Sequence, residues 1–182
     1  MNPWLLLEKY YPPGDPAREI LFTHSRAVTA KALAVAKRLA RSETLDLSFI
    51  EEAALLHDIG VRFVHAPSIG CHGDLPYLAH GYKGRELLEA EGWPRHALVC
   101  ERHIGVGLSA AEIVAQHLPL PVRDMIPQTL EETIITYADL FFSKGEQELT
   151  HEKGIERVRQ SLVRFGAEHL ATFERWHARF AG

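Results

Sequence analysis

His57 and Asp58 are adjacent, and other residues able to ligate a metal lie around them at long intervals: His24 before, and His80, His103 and Asp139 after. The order is H…HD…H…H…D. Neighbouring imidazole and carboxylate groups at the end of an apolar helix can both turn onto one ion, and the second carboxylate oxygen can bridge to another. The remaining residues of the set would complete a two-metal site. Paired metals about 3.5–4 Å apart are a recurring device for hydrolysing phosphate esters.

The dipeptide alone is weak. With eleven His and six Asp in 182 residues, a His-Asp pair arises by chance about a third of the time. The weight falls on where the six residues lie. His24 sits among Ile20, Leu21, Ala27 and Val28, inside the apolar stripe of its helix. His57 follows Ala53 and Ala54, on the apolar face of a second helix. Asp139 shares a face with Ile135 and Phe142 on a third. Buried carboxylates are rare unless paired or metal-bound. Asp139 has no Arg or Lys one helical turn away, because Ile135, Thr136, Phe142 and Ser143 stand there. A cation shared with His24 and His57-Asp58 would serve. A lone histidine on an apolar face is most simply a core histidine, so it is the group that carries the inference. His80 heads His-Gly-Tyr-Lys-Gly-Arg-Glu-Leu-Leu, where Gly81 and Gly84 permit close approach of backbone or substrate. His103 ends a helix. These two suit a second, more open metal.

The elements that must position these residues are helical almost throughout, so the chain is expected to be all-α. A short apolar helix over Pro3 to Tyr10 is broken by Tyr11-Pro12-Pro13-Gly14. Asp15-Pro16 is an N-cap followed by proline, and opens a long helix to about Ala40. Capping boxes are expected at Ser48–Glu51, Ser109–Glu112 and Thr129–Glu132. Helices are expected near 77–91 and 94–103, and two more near Glu152–Arg164 and Ala167–Phe180. Arg62 to Tyr77 reads as a loop containing Cys71-His72-Gly73-Asp74, and Val61–Val64 is too short to build a sheet. One domain over 1–182 is expected, with the metal-site core at about 16–145 and helices at 150–180 packed on it.

Composition sets outer limits. A formal charge of −4 argues against a general nucleic-acid binder. Fourteen of the twenty basic residues are Arg, a type suited to phosphate. Two cysteines, Cys71 and Cys100, form neither a disulfide framework nor a zinc pattern, so reduced thiols and a cytoplasmic setting are expected. Met1 to Tyr10 lacks the features of a signal peptide, and no run approaches transmembrane length.

With these residues in view, the chain resembles the HD-domain metal-dependent phosphohydrolase superfamily, over roughly His24 to Lys144. H…HD…D defines that superfamily. The added His80 and His103 resemble its dinuclear subgroup, which includes symmetrical diadenosine tetraphosphate hydrolases and HD-GYP cyclic dinucleotide phosphodiesterases. The resemblance implies a helical bundle of roughly seven to eight helices. It implies that His24, His57, Asp58 and Asp139 hold one metal, and that Asp58, His80 and His103 hold the other. Two divalent ions are implied, iron or manganese first, with zinc, magnesium, nickel or cobalt as alternatives. Gly81-Tyr82-Lys83 follows His80 where a GYP extension would follow an HD pair, which counts against a cyclic dinucleotide phosphodiesterase. The Cys71–Asp74 loop lies outside the family pattern.

The activity expected is hydrolysis of a phosphoester or phosphoanhydride, with a nucleotide implied as substrate by the resemblance. Metals make hydroxide available near neutral pH and offset phosphate charge. Asp58 and Lys144 are the expected catalytic residues. Lys83, Arg62 and Arg102 are the candidate phosphate-binding cations. A small phosphorylated substrate is the expected partner, with no membrane, no nucleic acid, and homodimerisation left open. Two rivals share the ligand set: an HD-fold mixed-valent diiron oxygenase, and a non-catalytic metal-containing nucleotide sensor.

Overall fold

A computed structural model describes residues 2–145 and 149–181. Its described residues form nine α-helices, slightly more than expected, with short 3-10 turns and one two-stranded hairpin. The helices are α1 (Pro3–Tyr10), α2 (Arg18–Leu39), α3 (Leu47–Leu56), α4 (His80–Ala90), α5 (Pro94–Arg102), α6 (Ala110–Ala115), α7 (Leu130–Asp139), α8 (Ile155–Val163) and α9 (Ala167–Phe180). The all-α expectation holds. No helix among the described residues is long and apolar enough to cross a membrane.

Local chemistry explains most boundaries and corrects two. Asp46, not Ser48, caps α3: its Oδ1 accepts from the Phe49 amide at 3.0 Å, and its other oxygen pairs with Arg95 at 2.6 Å. The sequence Ser48–Glu51 satisfies the capping-box spacing, but the carboxylate two residues earlier is the stronger acceptor and starts the helix sooner. At Ser109–Glu112 the reciprocal box is present. At Thr129 only half of it forms, because the Glu132 carboxylate reaches the Gln128 amide and Arg102 instead. The stretch 62–77 is more ordered than a plain loop. It begins within a 3-10 turn over Ile59–Phe63 and holds a hairpin of β1 (His65–Ala66) and β2 (Cys71–His72), with Ala66 opposite Cys71. Gly70 adopts φ +76 at the bend between them.

Two apolar clusters fill the interior. One gathers Val28, Ala32, Ile50, Ala53, Ile134 and Ile135 with Val158, Leu162, Phe173 and Phe180 of the last two helices. The other gathers Leu7, Tyr11, Leu21, Leu56, Ile59, Leu88 and Cys100. Helix α2 runs through both, and His24 lies between Leu21 of one and Val28 of the other. Helix α3 likewise leads from Ile50 and Ala53 to Leu56 before reaching His57. The polar cluster therefore occupies the seam between two apolar bodies.

Close backbone contact fixes α4 there. A methyl carbon on Gly60 would lie 2.1 Å from the His80 carbonyl oxygen and 2.4 Å from the Gly84 nitrogen. One on Gly84 would lie 3.0 Å from Cys100 Cβ. Glycines 60 and 84 thus let the start of α4 press against the turn after Asp58 and against α5 at once. The sequence expectation of a close approach at Gly84 is met by backbone and the Cys100 side chain. Gly60→Ala should force these elements apart, at a cost of about 2–3 kcal/mol, typical of overpacking. Thermal unfolding should then fall by about 4–12 °C for a chain of this size. An unchanged melting temperature would show that the contact is looser than described.

Candidate metal centre

Six side chains from five segments converge on the seam. His24 is in the middle of α2. His57 is the C-cap of α3, with φ −54 and ψ −30, and Asp58 follows at φ −105 and ψ 9 as the chain tightens into the 3-10 turn. His80 opens α4, His103 caps α5, and Asp139 is the last residue of α7. Five of the six therefore stand at helix ends, where a change of backbone direction lets side chains from different helices meet.

Asp58 is the centre of the arrangement and is 0% exposed. Its Oδ2 lies 3.1 Å from His24 Nε2 and 3.1 Å from His57 Nε2. Its Oδ1 faces the other way, 3.4 Å from His80 Nε2 and 3.5 Å from His103 Nε2. Asp139 Oδ1 closes the first group, 3.0 Å from His24 Nε2 and 3.4 Å from His57 Nε2. In the second group, His80 Nε2 and His103 Nε2 are 3.2 Å apart. The structure thus brings together all six expected ligands in two groups that share Asp58.

The histidines are aimed by their own helical turns. Nδ1 of His57 faces the Ala54 carbonyl at 2.6 Å, that of His80 the Tyr77 carbonyl at 2.6 Å, and that of His103 the Cys100 carbonyl at 2.8 Å. A proton on each Nδ1 donates to the carbonyl, leaving the Nε2 lone pair directed into the cluster. The same device recurs three times, each time with a carbonyl three residues earlier.

These side chains fit divalent metals. Nε2 of His24 and His57 and Oδ1 of Asp58 are buried without a hydrogen bond of acceptable geometry, a costly state for polar atoms that need a partner. Neighbouring ligands bound to one ion at about 2.1 Å stand about 3 Å apart, and the separations above lie close to that. Imidazole and carboxylate donors together suit iron, manganese or zinc.

Charge is strongly organised here. Burial would raise the Asp58 pKa, but Lys144 and His57 hold it well below the ordinary carboxylate range. Burial also opposes ionisation of Asp139, and His24 and His57 overcome it. Burial disfavours a charged His57, yet the two carboxylates raise its pKa to about 10. At His80 burial prevails, and its pKa falls to about 3.

Lys144 reaches the cluster as well. Its Nζ is 2.5 Å from Asp58 Oδ2 and 3.0 Å from the Tyr77 hydroxyl. Burial works against its charge, but Asp58 outweighs burial and keeps it cationic. Tyr77 was not anticipated from sequence. Its ring packs on His80 with centroids 4.7 Å apart, and Pro76-Tyr77 just ahead of His80 is the only sequence signal for it.

The other expected cations are engaged elsewhere. Arg62 bonds the Tyr10 carbonyl and lies over the Tyr10 ring. Lys83 pairs with Glu86 at 2.7 Å. Arg102 meets both Glu132 oxygens at 3.0 Å. Nearness in sequence to a ligand did not predict direction: Arg102 is next to His103 but points to α7. Within 71–74, Cys71 is buried and His72 exposed.

Known proteins share this architecture. The profile of the HD domain matches residues 21–142. A tRNA (cytidine(56)-2′-O)-methyltransferase of Thermoplasma volcanium is 29% identical over 161 residues, 88% of this chain and 42% of that protein. An uncharacterized protein of Methanocaldococcus jannaschii is 33% identical over 123 residues, 66% of this chain and 65% of that one. The corresponding methyltransferase of Picrophilus torridus is 32% identical over 143 residues, 73% of this chain and 37% of its own length. The chain thus spans less than two thirds of each of these relatives. The HD domain of the L. monocytogenes phosphodiesterase PgpH superposes with a TM-score of 0.54 over 92% of both chains at 14% identity, a likeness of fold.

Shared use of Asp58 yields an unequal pair of mutants. Asp58→Ala should lose both metals, whereas His80→Ala should lose one and keep the other. Elemental analysis of protein purified without chelator checks this. Full metal content in Asp58→Ala would refute the ligand assignment, and full content in His80→Ala would refute the second group.

Proposed function

The chain belongs to the HD-domain family, and we propose that within it this protein is a metal-dependent phosphohydrolase acting on a nucleotide. The observation that carries the reading is the placement of the two Asp58 oxygens toward two separate histidine groups. Two divalent ions, iron or manganese first, would be held by His24, His57, Asp58 and Asp139 and by Asp58, His80 and His103. Such ions supply hydroxide near neutral pH and offset charge on phosphate oxygens.

The chain's own residues complete the site. The carbonyls of Ala54, Tyr77 and Cys100 hold three imidazoles in the ligating tautomer. Lys144, kept cationic beside Asp58, is positioned to stabilise charge developing on phosphoryl oxygens. Asp58 and Lys144 are the catalytic pair of this reading. Of the four cations considered from sequence, Lys144 is the one supported by position.

The methyltransferase relatives, by their names, act on a tRNA cytidine, and that substrate is not carried over to this chain. Methyl transfer itself is not carried over, since less than half of those proteins' length is shared. A cytoplasmic setting fits the two free, buried cysteines. The chain is read as one domain, because helices α8 and α9 contribute to the same apolar cluster as α2, α3 and α7.

The test pairs metal analysis with a screen for hydrolysis of nucleotides and dinucleoside polyphosphates that follows nucleotide products as well as phosphate. About two metals per chain with hydrolysis supports the hydrolase. Two irons, oxygen uptake and no hydrolysis would replace it with the diiron oxygenase. Nucleotide binding without turnover, both metals present, would replace it with the sensor. Lys144→Ala should lower kcat about 100-fold to 1,000-fold, as loss of a charge-stabilising donor does, with metal content retained. Unchanged kcat would remove Lys144 from the chemistry.

A further inference from the structure

A cavity of about 530 Å³ opens beside the metal centre. Its apolar lining comes from Ile20 of α2, Ala66 and Ile69 of the hairpin, and Leu149. Tyr77 and Lys144 line it too. Those two residues also belong to the metal centre, Tyr77 through its contact with His80 and Lys144 through Asp58. Cavity and metal centre therefore meet at Tyr77 and Lys144, which line the one and contact residues of the other. The volume falls within the range that accepts a small organic ligand, about 300–1,000 Å³.

We propose that this cavity seats the uncharged organic part of a phosphate monoester, so that the substrate class is a nucleoside monophosphate rather than a nucleoside polyphosphate or dinucleoside polyphosphate. The proposal rests on the phosphohydrolase reading above and narrows it. Charge is the deciding quantity. A single terminal phosphate carries about −1.5 to −2 near pH 7, and Lys144, in contact with Asp58, stands at one side of the cavity to receive it. Each further phosphoryl group would bring another negative charge among Ile20, Ile69 and Leu149. Lys144 is the only cation among the described residues that line the cavity. Arg62, Lys83 and Arg102 are held by the Tyr10 carbonyl, Glu86 and Glu132. A buried charge without a partner is strongly disfavoured. An uncharged, partly planar group is not: the Tyr77 ring, 40% exposed, offers an aromatic surface to a base. Ser68, exposed at the same cavity, offers a neutral hydrogen-bonding group.

The reaction balances simply. Water adds to phosphorus, the P–O bond to the nucleoside breaks, and the nucleoside oxygen leaves with a proton from that water. The products are the free nucleoside and inorganic phosphate.

The experiment compares kcat/KM for adenosine 5′-monophosphate, ATP, diadenosine tetraphosphate and glycerol 2-phosphate on the metal-loaded full chain. Adenosine monophosphate should exceed each of the others at least tenfold, and its advantage over glycerol 2-phosphate should lie mainly in KM. Ala66→Trp fills the cavity, and Ser68→Trp obstructs it from an exposed position that tolerates substitution. Each should lower the ratio of kcat/KM for adenosine monophosphate over glycerol 2-phosphate about tenfold. Equal or better use of ATP or diadenosine tetraphosphate, or a ratio unmoved by both variants, overturns the proposal. Hydrolysis of none of the compounds by a fully metallated protein, with all products followed by chromatography, is failure of the hydrolase reading instead. Equilibrium binding then decides the cavity. Adenosine monophosphate bound tenfold tighter than ATP, and weakened by Ser68→Trp, upholds the seat; ATP bound as tightly or more tightly overturns it.

Discussion

Asp58 is a carboxylate with no exposed surface, at the seam of two apolar clusters. Its negative charge there is tolerable only with positive charge or ligating metal close on every open side. Four imidazoles and one ammonium group answer that demand within 3.5 Å. Much of the surrounding fold serves to deliver them. Helix α2 brings His24 by running the whole length of the seam. Helix α3 brings His57 by ending there. Helices α4 and α5 bring His80 and His103 because the glycine contacts at positions 60 and 84 let their backbones crowd together. Removing space at either glycine would disturb the carboxylate's surroundings without touching a ligand.

Helix ends do the delicate positioning. Inside a helix, a side chain can point only along directions set by the regular turn. At an end, the backbone changes direction and the next residue can face a different neighbour. His57 and Asp58 exploit this: one ends α3, and the other begins the 3-10 turn. The histidine rings are then steadied by carbonyls of their own preceding turns, so ring direction depends on local helix geometry rather than on distant packing.

The helical architecture and the inward-facing His24, His57 and Asp139 were legible in the sequence because both rest on periodicity. His24, His57 and Asp139 betray themselves by interrupting apolar faces that would otherwise be filled by Leu, Ile or Ala. What sequence did not disclose is whatever depends on where a long side chain goes in space. Arg102 adjoins His103 but turns to Glu132, and Lys83 turns to Glu86. Lys144, named from sequence together with Asp58, does reach it across many residues of chain, but nearness in sequence gave no way to separate it from those others. Tyr77 escaped notice because an aromatic residue beside a proline has no periodic signature. The α3 cap shifted from Ser48 to Asp46 for a related reason: spacing rules mark both as acceptors, and only the actual geometry ranks them. The hairpin over 65–72 is held by too few residues for alternation to show.

The two ligand groups do not own their residues equally. The first has His24, His57 and Asp139 to itself; the second has only His80 and His103, and borrows Asp58. Occupancy of the two positions is consequently not a pair of independent events. An ion held by the first group would fix the orientation of the carboxylate that the second requires, and would also withdraw electron density from it. Loading should thus have an order, with the richer position filling at lower free-metal concentration and the poorer one remaining exchangeable. A protein holding two ions in this way would pass through a half-filled form as free metal rises, an asymmetry that follows from which oxygen of one aspartate faces which histidines.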